Sequence, residues 1–237
     1  MYYEYEWELK KNKEQSDRLA LVGAELVCPD KGAIFYLDNY QHYMTSYEYI
    51  PGETLASIYQ DYVDTNHFFF ADSKKRRLLH SFTRYGQVMA LLHFTQDEPD
   101  ENIHNLLKRP VQLMLSDRNG YNELYDEGRD RIYLIDLAEE CIDDDPWTVD
   151  NELGYWIMNL IYLITDTHKK DEIDTSNVAS LFCDLVNSFI NGYTSALPDY
   201  NYLVLKSMIT GAVLADIQRR SVKEPWLNTI FDQVSNI

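Results

Sequence analysis

The order of apolar and polar residues predicts a short β-rich segment at the start of the chain. Apolar residues alternate with glutamates, or form short runs between turns, in three places that are typical of strands. The predicted strands are Tyr2–Leu9, Ala33–Leu37 and Tyr43–Ile50. Between the first two, apolar residues recur at helical spacing over Glu14–Val27, with Asn12 or Ser16 as the cap. Residues 1–50 are therefore expected to form a small sheet with one helix.

Helical spacing predominates after Pro51 and Gly52, which break the preceding strand. Beyond them, apolar residues recur every three to four positions, the period of an amphipathic helix. The predicted helices are Thr54–Val63, Lys74–Phe94, Val178–Tyr193 and Tyr202–Arg220, with one or two further turns at Leu227–Val234. Trp156–Ile164 is strongly apolar and is expected to be buried. The natural division of the chain is therefore at Pro51, giving residues 1–50 and 51–237 as two lobes.

Polar side chains on these helices are interpreted as packing or surface residues. His80 and His93 lie on the second predicted helix, where a histidine is more often packed or capping than a metal ligand. Asp216, Arg219 and Arg220 are expected on the polar side of the last long helix.

The segment around residues 122–136 predicts a β-hairpin. Glu123–Tyr125 can extend, Asp126–Asp130 has the composition of a turn, and Arg131–Ile135 becomes fully apolar towards its end. A hairpin of that size brings its two ends together. Asn122 and Asp136 are therefore expected to be neighbours although they are distant in the sequence.

The side chains at the ends of this hairpin suggest a metal site. Asp136 follows a run that is expected to be buried, so its carboxylate stands at the end of a core strand. Asp117 supplies a further carboxylate five residues before Asn122. Carboxylate and amide oxygens suit a hard cation such as Mg²⁺. They also suit phosphoryl transfer, in which metal ions neutralise the phosphates and a separate Asp receives the hydroxyl proton.

The Asp117-x-x-x-x-Asn122 spacing, the hairpin and the Ile-Asp-Leu that ends it resemble the catalytic and metal-binding loops of the protein-kinase-like superfamily. The pattern is similar to its aminoglycoside and choline phosphotransferase branch, His-Gly-Asp-x-x-x-x-Asn followed by a hairpin and Ile-Asp-Phe or Ile-Asp-Leu. The resemblance implies that Asp117 is the catalytic Asp and that Asn122 and Asp136 are metal ligands. Leu115 and Ser116 depart from the pattern. In the alternative interpretation, these Asp and Asn residues form turns in an unrelated fold.

A second resemblance lies at residues 47–55. Their sequence, Tyr-Glu-Tyr-Ile-Pro-Gly-Glu-Thr-Leu, is similar to the hinge of that branch, where a strand leads through Pro-Gly-x-x-Leu into the first helix of the second lobe. The resemblance implies that Glu48, Tyr49 and Ile50 lie along the adenine of ATP. An ordinary strand–turn–helix junction is the alternative, since Pro and Gly produce one in any fold.

The first lobe departs from the family in one important respect. A kinase-like first lobe has five strands, a Gly-rich loop over the phosphates and a Lys paired with a helix Glu. No Gly occurs before Gly23, so a Gly-rich loop is not present there. If residues 2–9 are the third strand of the family, Lys10 or Lys11 is the phosphate-binding Lys and Glu14 is its partner; a charged loop explains these lysines equally well.

Composition narrows the class of partner. The formal net charge is −18, which argues against nucleic acid and against an anionic membrane surface, and favours a cationic small molecule or a basic protein partner. The start of the chain lacks the pattern of a signal peptide, and no apolar run reaches the length of about 18 residues typical of a membrane span. The three cysteines are dispersed, which fits a reducing compartment, so a cytoplasmic protein is expected.

The expected fold is α+β, a kinase-like two-lobed fold with a reduced three-strand N-lobe and a mainly helical C-lobe. The expected function is a minimal phosphotransferase that uses ATP with Mg²⁺ or Mn²⁺ and a hydroxyl acceptor. The alternative is a pseudokinase-like binding or regulatory module that docks a protein partner. The missing Gly-rich loop and Leu115 favour this alternative.

Overall fold

The computed structural model describes Ala20 and residues 24–26, 31–37, 40–46, 49–65, 71–94, 103–109, 120–135, 148–167 and 175–220. Within these ranges the protein is α+β and mostly helical. The described strands form a mixed sheet of four strands and a separate sheet of two. The fold class predicted from the sequence is confirmed at this level.

Helices account for most of the described chain. They are α1 (Leu55–Thr65), α2 (Ala71–Phe94), α3 (Val149–Thr167), α4 (Thr175–Ser195) and α5 (Tyr202–Arg220), with a 3₁₀ helix at Ile103–Lys108. The predicted helices before and after the hairpin are confirmed, with small shifts at their ends. Leu227–Val234 lies outside the described residues. None of the helices in the described ranges has an apolar stretch long enough to cross a bilayer.

Polar side chains cap several of these helices at the N-terminus. Thr54 Oγ1 accepts a hydrogen bond from the Ser57 amide at 3.0 Å, which fixes the start of α1. Asn201 Oδ1 accepts one from the Leu203 amide at 3.1 Å and so starts α5. Such caps satisfy backbone donors that have no partner inside the helix.

The described strands lie in two sheets. They are β1 (Ala24–Leu26), β2 (Lys31–Leu37), β3 (Tyr40–Ser46), β4 (Glu53–Thr54), β5 (Glu123–Asp126) and β6 (Arg131–Leu134). The larger sheet has the order β1-β6-β5-β4, and β1 is parallel to β6 while the other pairs are antiparallel. β2 and β3 pair antiparallel with each other in the second sheet.

Two predictions about the first 50 residues are wrong in part. The helix predicted at Glu14–Val27 does not reach its end, because Ala24–Leu26 is strand β1. Ala24 is 1% exposed and pairs with Ile132, so a tertiary partner overrides the local helical spacing. The strand predicted at Tyr43–Ile50 is β3, shifted towards the N-terminus, and it ends at Ser46 because its partner β2 begins opposite, at Lys31.

The predicted lobes share one sheet. β1 belongs to residues 1–50, whereas β6 belongs to residues 51–237, and the pairing Ala24↔Ile132 joins them. The division at residue 50 stays a prediction, and the strand predicted at Tyr2–Leu9 lies outside the described residues.

The core lies among α2, α3 and α4. The Trp156 ring stacks on Phe189 with 3.6 Å between centroids and 16° between planes, which joins α3 to α4. The expected burial of Trp156–Ile164 is confirmed for most of its residues, although Tyr162 is 54% exposed. The same core supports the inner face of the hairpin, where Tyr125 and Ile132 are buried. The hairpin is therefore held on a packed helical base.

Candidate functional site

The predicted hairpin is confirmed, and its open end holds Asn122. β5 and β6 pair from Glu123↔Leu134 to Asp126↔Arg131. One step further, the Ile135 amide donates a hydrogen bond to the Asn122 carbonyl at 2.9 Å. Asn122 is half-buried at this position. The residue that precedes Asp136 is therefore bonded directly to Asn122.

The loop that enters the hairpin is held through Gly120. The Gly120 amide donates to Glu123 Oε2 at 2.8 Å, and its carbonyl accepts from the Ala56 amide at 2.8 Å. Gly120 has φ of +83°, a conformation that side chains disfavour, and an added Cβ would lie 3.3 Å from Leu163 Cδ2. The start of α1 and the loop before Asn122 are therefore fixed to each other.

Residues 47–55, the hinge-like segment, contain β4, and β4 pairs with the same hairpin. Glu53 pairs with Tyr125 and Thr54 pairs with Leu124. Gly52 has φ of +153° and sits so close that an added Cβ would lie 3.3 Å from the Tyr125 carbonyl oxygen. Glycine at this position thus permits the close approach of the hinge-like segment to β5.

The predicted nucleotide-binding residues lie only partly within the described ranges. Tyr49 is 86% exposed and Ile50 is half-buried, and neither is in a strand. Lys10, Glu14 and Glu48 lie outside the described residues. Their predicted contacts with nucleotide stay predictions.

The predicted metal ligands are also only partly described. Asn122 is described, whereas Asp117, Asp136 and the departures at Leu115 and Ser116 lie outside the described ranges. Among the residues that the structure describes, no three His, Cys, Asp or Glu side chains gather to hold a metal. The metal site predicted from the sequence therefore stays a prediction that depends on both aspartates.

The sequence pattern does not predict the role of Glu123. It indicates only an extended segment at this position, but Glu123 is 1% exposed and its carboxylate accepts a hydrogen bond from the Gly120 amide. A signal was present, because side chains two apart on a strand share a face and Tyr125 is a natural core residue. That alternation places the Glu123 carboxylate on the core side of β5.

The closed end of the hairpin carries a second polar cluster. Asp130, with φ of +50°, accepts a hydrogen bond from Tyr125 Oη at 3.0 Å, and its Oδ1 lies 2.9 Å from His80 Nε2. Burial raises the pKa of the Asp130 carboxyl, but the hydrogen bonds to His80 and Tyr125 and the Arg84 charge outweigh it and lower the pKa below its ordinary value. The contacts of Asp130 with His80 and Arg84 hold the turn of the hairpin against α2. His80 is therefore engaged in packing the hairpin against α2, as its helical position suggested.

The prediction that Asp216 lies on the polar side of α5 is wrong, because Asp216 is among the buried residues of that helix. Its side chain is 5% exposed and forms ion pairs with Arg219 and, at 2.6 Å, with Arg220. Arg220 also donates to the Gly154 carbonyl at 3.4 Å, so the cluster links α5 to α3. Helical periodicity groups Asp216 with the polar residues because the period of one helix does not show which other helix packs against it.

Comparison of the sequence with known protein families and with curated protein sequences finds no match.

Proposed function

We propose that the protein is a kinase-like phosphotransferase that moves a phosphoryl group from ATP to a hydroxyl acceptor with Mg²⁺ or Mn²⁺. The observation that carries the proposal is the joining of two distant segments by β4 and β5. The hinge-like segment contains β4, and β4 pairs with β5, the strand that directly follows Asn122. The Ala56–Gly120 bond makes the same connection at the loop before Asn122. Such an arrangement would let a nucleotide held at the hinge-like segment reach a metal at Asn122.

The bond between Ile135 and Asn122 supports the assignment of the metal ligands. It lies at the end of the hairpin from which Asp136 continues. In the proposal, the Asn122 amide oxygen and the Asp136 carboxylate hold the metal, a donor set that suits a hard cation. The metal neutralises phosphate charge when it is bound. Asp117 orients the acceptor hydroxyl and receives its proton.

The proposed nucleotide site uses the backbone of the hinge-like segment. Tyr49 projects into solvent rather than into the core, so its backbone is not enclosed by the packed helices. The proposal adds Glu48 and Ile50 along the adenine, and Lys10 with Glu14 at the phosphates. Residues 1–50 would then serve as the reduced N-lobe of a two-lobed fold.

The acceptor is expected to be cationic, either a small molecule or a basic protein. The net charge of −18 raises the local concentration of cations and repels polyanions. The same charge would serve a cytoplasmic pseudokinase-like module that docks a basic partner without catalysis. Nucleotide binding separates the two functions.

Asp136→Asn tests the proposal, because it removes one charged metal ligand and keeps the size of the side chain. Calorimetric titration with ATP should show binding to the native protein in Mg²⁺ or Mn²⁺. Binding to the variant should be weaker by at least the roughly 10- to 100-fold that is lost when only an outer-shell partner of a metal ligand is changed. Asp199→Asn, at an exposed position, makes the same chemical change away from the hairpin and should leave the affinity unchanged.

Equal affinity of the native protein and Asp136→Asn would refute the assignment of the site. Indifference of the native protein to ATP with either metal would instead favour the pseudokinase-like module.

A further inference from the structure

Glu123 is a carboxylate that faces the core. It is 1% exposed, and it lines a small cavity together with the apolar side chains of Phe82, Trp156 and Leu160. Burial of a charged group among such residues costs free energy unless hydrogen bonds compensate for it. Even complete buried ion pairs can often be replaced by apolar residues of similar volume with a neutral or stabilising effect. Core stability alone is therefore a poor reason for a carboxylate at this position.

The hydrogen bond that Glu123 accepts closes a turn around Asn122. The carboxylate reaches back past Asn122 and Tyr121 to the Gly120 amide, with 2.8 Å between donor and acceptor. The opposite side of the same peptide segment is held as well, since the Gly120 carbonyl accepts from Ala56. The Asn122 backbone thus lies between two fixed points, the Gly120 amide and its own bond to Ile135.

A second buried polar side chain lies in the same part of the core. Asn159, on α3, is 6% exposed and lines the small cavity with Glu123 and Gly120. Within the described part of the chain its Nδ2 has no hydrogen-bond partner. Glu123 and Asn159 are therefore two buried polar side chains at a cavity that is lined mainly by apolar side chains.

We propose that Glu123 is a positioning residue that holds the turn from Gly120 to Asn122, so that the Asn122 amide oxygen faces the metal. The inference rests on the proposed function. In this proposal Glu123 is not itself a ligand, and it acts through the backbone of the residue that precedes it, Asn122. Groups that orient metal ligands in this way commonly contribute 10- to 100-fold to metal affinity.

Glu123→Leu separates positioning from stability, because leucine fills similar space and accepts no hydrogen bond. We expect at most a modest fall in melting temperature, because the Gly120 amide loses its acceptor, together with about tenfold faster hydrogen exchange at that amide by NMR and roughly 10- to 100-fold weaker binding of ATP in Mg²⁺. Glu123→Gln keeps one acceptor oxygen and should restore most of the affinity. Glu127→Gln, whose side chain is 63% exposed on the same hairpin, is the matched control and should change neither the exchange of Gly120 nor the affinity.

Each outcome bears on the inference separately from the proposed function. Unchanged exchange of Gly120 in Glu123→Leu overturns the inference, as does faster exchange with full affinity for ATP and Mg²⁺. A large loss of melting temperature in both Glu123→Leu and Glu123→Met also overturns it, since the carboxylate would then serve the core. If the native protein binds no nucleotide, the proposed function is overturned. Faster exchange of Gly120 in Glu123→Leu would then still show that Glu123 holds the turn.

Discussion

Burial decides the protonation state of His93, at the end of α2. The side chain is 7% exposed, and its Nδ1 lies 2.6 Å from Tyr193 Oη. Burial lowers the pKa of this imidazole to about 3 from the ordinary 6.5. His93 is therefore neutral and packed, and it fills the space between α2 and α4. This agrees with the interpretation from its helical position.

The low pKa of His93 predicts a dependence of stability on pH. The unfolded chain takes up a proton at this residue below about pH 6.5, whereas the folded chain does so only near pH 3, so stability falls as pH is lowered through that window. Between pH 6.5 and 5 the native protein should lose about 1.6 kcal/mol more unfolding free energy than His93→Gln. Urea unfolding at both pH values measures the difference.

Tyr193→Phe is the control for this experiment. It removes the hydroxyl and leaves the imidazole buried, and burial is the cause of the low pKa. It should therefore keep the pH dependence of the native protein. Equal pH dependence in the native protein and in His93→Gln would contradict the prediction.

At the scale of elements, two glycines allow α2 and α4 to pack closely. A Cβ added to Gly86 would overlap the Phe189 carbonyl oxygen, and one added to Gly192 would overlap the Thr83 carbonyl oxygen. Each glycine thus faces the backbone of the opposite helix. The stacking of Trp156 on Phe189 continues this contact to α3. The helices that support the hairpin therefore pack with their backbones in contact.

Alanine at either glycine should destabilise the protein. The helices would have to separate, and overpacking of this kind costs roughly 1–3 kcal/mol, against a gain of about 1 kcal/mol in helix propensity. Gly211→Ala on α5 is the matched control, since an added Cβ meets nothing within 4 Å, and it should stabilise by roughly 0.5–1 kcal/mol. Thermal unfolding of the three variants measures these changes. Equal stability of Gly86→Ala and Gly211→Ala would show that the helices do not touch at Gly86.

At the scale of the whole molecule, β1 joins residues 24–26 to the hairpin. The full length of β1 pairs in parallel with β6, since Ala24, Glu25 and Leu26 lie opposite Ile132, Tyr133 and Leu134. Ala24 is enclosed in the core, and Glu25 forms an exposed ion pair with Arg131 at 3.1 Å. The strand that leads to Asp136 is therefore supported by a segment distant in sequence.

Ala24→Asp tests this connection, because it places an unpaired carboxylate in the core beside β6. We expect a loss of roughly 3–5 kcal/mol of unfolding free energy and faster hydrogen exchange at Ile132 and Leu134. Glu25→Gln, which removes only the exposed charge, should change stability by less than about 1 kcal/mol. Unaltered exchange in β6 of Ala24→Asp would mean that residues 1–50 fold separately from the hairpin.

The candidate site was predictable only where its signals are local. Turn composition at 126–130 between two strand-like runs was enough to predict the hairpin, and the bond from Ile135 to Asn122 follows from it. The burial of Glu123 was not predicted, since it depends on α2 and α3 covering one face of β5. Asp216 was placed on the polar side of α5 for a related reason, as one helix does not reveal its neighbour.

The sequence by itself determined the helices α1, α2, α4 and α5 and the hairpin, because periodic apolar residues and turn composition act over a few neighbouring positions. Only the tertiary structure decided that β1 is a strand, that β4 brings the hinge-like segment to β5, and that Gly86 and Gly192 face helix backbones. Each of these depends on a partner far away in the chain. Strand pairing and burial depend on which residues the fold places opposite each other, and the local spacing of apolar residues does not specify those partners.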